Sequence, residues 1–96
     1  MRRFSARTDR NQPEIVKAAR GVGATVRITA ALSDGGGDLI IGYRGFNYSV
    51  EVKDGTLPPS GRVLTPKEAS FMRDWRGQHG IIESVEQLFM LLGVKS

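Results

Sequence analysis

Asp38, Glu51 and Lys53 are the residues whose types and spacing could do chemistry together. Phe46 to Lys53 alternates apolar and polar residues, as a half-buried strand does, and Leu39-Ile40-Ile41 just before it reads as a buried strand. With Arg44-Gly45 as the tight turn between them, Tyr43 pairs with Phe46, and counting outward sets Asp38 opposite Glu51. A four-residue turn from Tyr43 to Phe46 keeps that register; a bulged three-residue turn shifts it by one. Lys53 projects from the same strand face as Glu51, together with Asn47 and Ser49, while Tyr48, Val50 and Val52 point the other way. Directly opposed side chains have Cβ atoms about 4.5–5.5 Å apart, and like charges at that distance are destabilising. A divalent cation between the carboxylates relieves this, since Mg²⁺ typically takes one or two of them and leaves its other positions to water and phosphate. The chemistry expected is hydrolysis of a phosphate ester, with the cation polarising a phosphoryl oxygen. Lys53 would hold the attacking water and offset charge in the transition state. A Glu-x-Lys on its own is a surface ion pair of little energetic weight. What distinguishes this one is the facing Asp38, reached through a run of glycines.

The elements that must position these residues are legible. Pro13 suits the first turn of a helix, and Ile15, Val16, Ala18, Ala19 and Val22 follow at helical spacing until Gly21 and Gly23 end it. Thr25 to Ala30 alternates as a strand, and Ser33-Asp34-Gly35-Gly36-Gly37 is a loop in which Asp34 reads as a loop residue, not a ligand. Residues 54–63, opening with Asp54-Gly55 and containing Pro58-Pro59-Ser60-Gly61, are expected to form a mobile surface loop. Thr65-Pro66-Lys67-Glu68 is a capping box, which by itself accounts for Glu68. The helix it opens carries Phe71, Met72 and Trp75 as an apolar face and closes at Gly77, so Phe71 and Trp75 are expected to be core or dimer contacts, not base-stacking groups. His79 is expected in the following connection, as an ordinary loop residue, ahead of a short strand at Ile81-Ile82. Ser84-Val85-Glu86-Gln87 is a second capping box, opening a last helix through Leu88, Phe89, Leu91 and Leu92 to Gly93. The order is α-β-β-β-α-β-α, an α/β fold with a central mixed sheet flanked by helices.

Ninety-six residues make one domain, residues 1–96, with a core modest enough that a homodimer would be a natural supplement. The absence of cysteine excludes disulfide frameworks, zinc ribbons and thiol catalysis. No apolar run is long enough to span a membrane, and the basic start lacks the hydrophobic stretch of a signal peptide, so the cytoplasm is the expected location. A net charge of +4 and an isoelectric point near 10 suit a polyanionic partner. Basic residues gather in an N-terminal arm, residues 1–8 with Arg2 and Arg3, and again at Arg62, Lys67, Arg73 and Arg76. Displacing condensed counterions from a phosphate backbone rewards such clusters, and Arg2, Arg3, Arg62 and Lys67 are the candidate nucleic-acid contacts.

These residues together resemble a known family. Gly37-Asp38-Leu39-Ile40-Ile41 followed by Glu51-Val52-Lys53 resembles the metal-binding core of the PD-(D/E)XK nuclease superfamily. The wider pattern is similar to its virus-type replication and repair (VRR-NUC) branch: Asn11-Gln12 with Glu14, Gly42-Tyr43-Arg44-Gly45, Asp54-Gly55, Pro58-Pro59-Ser60, Leu64-Thr65-Pro66, Trp75-Arg76-Gly77 and Glu83-Ser84-Val85-Glu86. The likeness runs from about Asn11 to Gly93. It implies a restriction-endonuclease-like fold and phosphodiester hydrolysis dependent on Mg²⁺, with Mn²⁺ able to substitute and no nucleotide cofactor. It carries over Asp38 and Glu51 as metal ligands, Lys53 as the catalytic lysine and Glu14 as the helix-borne carboxylate completing the metal site. The stand-alone phage and prophage members of the branch suggest a homodimer acting on branched DNA such as Holliday junctions, in a bacterial host cell. The competing expectations are a catalytically inactive nucleic-acid-binding module on the same fold and a phage accessory protein acting through protein contacts. One departure stands out: Gly37 occupies the place where the family usually has proline.

Overall fold

A computed structural model describes residues 9–32 and 35–95. The elements run α1 (Gln12–Gly21), β1 (Thr25–Ile28), β2 (Leu39–Tyr43), β3 (Phe46–Val52), α2 (Pro66–Asp74), β4 (Gln78–Ile82) and α3 (Val85–Leu92), with a 3-10 turn at Pro59–Gly61. This is the order expected from the sequence. The four strands lie in the order β1-β2-β3-β4; the first two pairings are antiparallel and β3–β4 is parallel. No described helix is long and apolar enough to cross a membrane.

Strand alternation gives the sheet two different faces. Leu39, Ile41, Val50, Val52 and Ile82 point to one side, where α1 brings Ile15, Val16 and Ala19 and α3 brings Leu88 and Leu92. Fully burying each large side chain of that core is worth roughly 1.5–3 kcal/mol. The two helices pack on each other, α1 beside β1 and α3 beside β4. That arrangement leaves the opposite sheet face, with Ser49 and Glu51, to chemistry.

The β2–β3 turn has the expected two residues, both at positive φ, Arg44 at 52° and Gly45 at 85°. Such a turn twists with its flanking strands, and the Arg44 guanidinium rests over the Tyr43 ring, 5.2 Å from its centroid. The α2 capping box is present in full. In the box of α3, Ser84 accepts from the Gln87 N–H, but the Gln87 side chain reaches one residue further back, to the N–H of Glu83.

Two expectations are corrected. His79 is a β4 residue paired with Ser49, not part of a loop, because parallel pairing with β3 recruits Gln78, His79 and Gly80 into the strand regardless of their own preference. The second correction concerns α2, which ends at Asp74; Trp75 turns extended, and only Met72 of this helix is buried. Phe71 and Trp75 therefore lie outside the core.

Candidate active site

The β2–β3 ladder has the predicted register, from Tyr43 with Phe46 to Leu39 with Val50, and then departs from it. Instead of facing Glu51, Asp38 donates its N–H to the Val50 carbonyl at 2.8 Å, so Asp38 and Leu39 both face one residue, as in a β-bulge. The Val52 N–H is then met by the Asp38 carboxylate, Oδ2, at 2.8 Å. This bond pins the side chain across β3. Its carboxyl also hydrogen-bonds that of Glu51, so the two acids meet although their backbones are not paired.

The glycine run is a closely packed strap. Gly35 at φ +80° lies against the first turn of α2, where a Cβ would come within 2.6 Å of the Lys67 carbonyl. Gly37 sits at φ +97°, where a Cβ would fall 2.7 Å from Ser49 Oγ and 3.1 Å from Val50 O. The buried Ser49 hydroxyl donates to Gly36 O at 2.7 Å, and Thr29 Oγ1 donates to Gly37 O at 3.0 Å. Hydrogen bonds thus fix the approach to Asp38 that a proline would otherwise stiffen. Because proline holds φ near −65°, Gly37→Pro should destabilise this chain by about 3 kcal/mol or more. Thermal denaturation checks this, and a melting temperature equal to wild type would show that the strap refolds freely.

Glu51 is 3% exposed. Burial, the nearby Asp38 charge and the hydrogen bond with Glu68 push its carboxyl up to about 9, against the pull of Lys53. Burial likewise raises Asp38, aided by the charges of Asp9 and Glu68 and opposed by the bonds from Val52 and Glu51. The Lys53 ammonium stands 3.5 Å from Glu51 Oε2 and 3.0 Å from Glu68 Oε1. Burial disfavours its charge, but the Glu68 bond and the two carboxylates outweigh this and hold its pKa above the ordinary lysine value. Burial also opposes ionisation of Glu68, yet the Thr65 N–H, Glu51 and Lys53 prevail and lower it. Glu51 and Glu68 therefore share one ammonium, with Asp38 a third acid beside Glu51, and the proton retained by Glu51 relieves the excess negative charge. That excess is what a divalent cation would neutralise.

No protein-family profile and no curated protein matches the chain. A solved structure described as a VRR_NUC domain matches over 91% of this chain and 95% of its own, with 24% identity and a TM-score of 0.58. The fold is that of a VRR_NUC domain. On this VRR_NUC fold the acidic cluster lies on the sheet face turned away from α1 and α3, in a pocket of about 300 Å³ lined by Asp9, Asp38, Glu51, Lys53, Lys67 and Glu68 among others.

The structure does not bring Glu14 into that pocket. Gln12, Ile15, Val16 and Ala19 are the buried face of α1, which leaves Glu14 exposed on another side of the helix. Glu14 lines a separate groove with Asp54, Gly55 and Glu83. The additional acids at the site are Asp9 and Glu68, the second acting beyond its capping role. Arg62 is also elsewhere, its guanidinium 3.2 Å from both carboxylate oxygens of Glu83. Lys67 does line the pocket. Arg2, Arg3 and the rest of the basic arm lie outside the described residues, as does Asp34.

Sequence reasoning also missed the part played by Asn11. Its Nδ2 donates to Lys53 O at 3.0 Å and Glu83 O at 2.9 Å, tying the end of β3 to the end of β4 and fixing the backbone of Lys53. The loop at 54–63 lies at the surface and is internally bonded: Asp54 Oδ1 accepts from the Thr56 N–H and hydroxyl, which lower the Asp54 pKa.

Proposed function

We propose that this chain is a metal-dependent endodeoxyribonuclease of the VRR-NUC branch, hydrolysing phosphodiester bonds in branched DNA such as four-way junctions. The observation that carries this reading is Glu51, a buried carboxyl in contact with Asp38, Glu68 and Lys53 at once. Buried carboxylates gathered at such cost to stability mark a functional site more often than a structural one.

Asp38 and Glu51 are the residues that would hold Mg²⁺, or Mn²⁺ in its place. Among the described residues no three histidine, cysteine or acidic side chains are disposed to hold an ion by themselves. The pair fits Mg²⁺ nonetheless, since that ion takes one or two carboxylates and fills its shell with water and phosphate oxygens. When bound, the ion would supply positive charge to the phosphate and lower the pKa of water. The chain's own groups do the rest. Lys53 orients the attacking water and stabilises the charge growing on the phosphate oxygens, and Glu68 holds Lys53 in place. Water oxygen bonds to phosphorus and gives up a proton to solvent, one ester P–O bond breaks, and the leaving oxygen takes up a proton from solvent. Lys67 at the rim and the basic arm with Arg2 and Arg3 would contact neighbouring phosphates. A homodimer would present two such sites to two strands of a junction.

Cleavage of single-stranded, duplex, flapped and four-way-junction DNA, each with Mg²⁺, Mn²⁺ or EDTA, tests the proposal. Junction cleavage with either metal and none in EDTA is expected, with a solution mass of two chains. Binding that persists without cleavage under every condition would instead identify an inactive DNA-binding module.

A further inference from the structure

Beside the acidic pocket lies a second concavity that the chemistry above does not use. It is a groove of about 900 Å³ lined by Leu32, Pro66, Lys67, Ser70, Phe71 and Trp75 among others. Phe71 and Trp75 stack in it, centroids 4.9 Å apart and planes 19° from parallel. The indole is fixed by a bond from its Nε1–H to Gln78 O at 3.2 Å. Trp75 is nevertheless 44% exposed, and neither ring joins the core. A rigid aromatic pair left open to water is a costly feature for packing alone to maintain.

The groove adjoins the acidic pocket, for Leu32 and Lys67 line both. A phosphate held near Asp38 and Glu51 would set the adjoining nucleotide toward the two rings, along the lining that Lys67 shares with both sites. Asp74, the acid at the groove's rim, is engaged by Arg73 at 2.9 Å, which offsets its repulsion of a phosphate chain. We infer that the Phe71–Trp75 stack is a base-binding platform that takes an unpaired nucleobase next to the scissile phosphate. Only a base outside the duplex stack has a face to offer. The inference rests on the nuclease reading for the location of the phosphate, and it makes DNA with an unpaired nucleotide at the cut, as in a flap or the open centre of a junction, the substrate class.

Trp75 is the one tryptophan of the chain, so its emission reports the platform directly. The full chain is titrated, with Ca²⁺ in place of Mg²⁺, with a single-stranded oligonucleotide and with an abasic sugar–phosphate strand of equal length. Saturable quenching by the first and little by the second is expected. Trp75→Ala should weaken single-strand binding about tenfold or more while duplex binding stays as it was, and Trp75→Phe should recover most of the loss. Circular dichroism of the variants confirms that they fold. Equal quenching by the abasic strand, or none by either, overturns the platform. Emission that changes with protein concentration alone, and not with oligonucleotide, would assign the rings to a second copy of the chain and likewise overturn it. Because quenching is read without turnover, a chain that binds bases but never cuts refutes the nuclease reading and leaves the platform standing.

Discussion

Glu51→Gln should abolish cleavage and, in the absence of metal, raise the melting temperature. The amide has the shape of the acid and can still donate toward Asp38 and Glu68, but it carries no charge to bury. In the metal-free protein Glu51 is pushed up to about 9 by burial and the neighbouring Asp38, whereas in the unfolded chain it has the ordinary glutamate value of 4.5. A folded-state pKa above the unfolded one means that folding takes up a proton. The stability associated with protonated Glu51 is complete below about 4.5 and is lost progressively as pH rises through 9. Glutamine avoids that loss, so the variant's advantage should be slight at pH 5 and grow toward pH 9. An advantage of about 1 kcal/mol near neutrality corresponds to roughly 4–8 °C for a domain of this size. Mg²⁺ should reverse the ranking, because ligand binding stabilises only the protein that binds it. Cleavage should fall by about 10³-fold or more with the loss of the carboxylate. Melting curves across pH, with Mg²⁺ and with EDTA, check the first part. A variant less stable than wild type at every pH would refute the account of Glu51 as a strained acid held for function.

What the sequence disclosed and what it withheld divide along the range of the interactions responsible. The helices begin where proline and capping residues place them, and the β2–β3 register follows from Arg44-Gly45, because caps and two-residue turns are set by neighbours in the chain. The whole length of β4 was hidden, since its hydrogen bonds come from β3, some thirty residues earlier, and Gln78-His79-Gly80 has no strand preference of its own. The bulge at Asp38 was hidden for a related reason. Counting along a ladder assumes that the ladder continues, while here Ser49 and Thr29 hold the glycine strap in a conformation that ends it. Glu68 shows that one explanation for a residue does not exhaust it: the same Oε1 that caps α2 receives Lys53. Glu14 was within reach of the sequence. The helical phase set by Ile15, Val16 and Ala19 turns it away from the sheet, which a family resemblance by itself does not disclose.

Lys53→Ala should lower cleavage by at least about 10²–10³-fold, the usual loss when one donor to developing charge is removed, while DNA binding, carried by other cations, stays close to wild type. Its effect on stability separates two roles of the same ammonium. Without Nζ, Glu51 and Glu68 lose a shared partner, and removing one side of a buried ion pair costs about 3–5 kcal/mol. Lys53 retains 13% side-chain exposure, so solvent reduces the expected loss to roughly 1–3 kcal/mol. The remaining carboxyls adapt by holding protons: Glu68, kept below the usual range partly by Lys53, should titrate higher in the variant. Adding Glu68→Gln removes one of the stranded charges and preserves the capping geometry, since glutamine serves in a capping box as well as glutamate does. The double variant should therefore regain much of the lost stability and none of the cleavage. If it regained both, Lys53 would be a neutralising counterion and the water would be positioned by something else. Cleavage by Lys53→Ala at the wild-type rate would remove the lysine from the mechanism altogether, whatever its effect on folding.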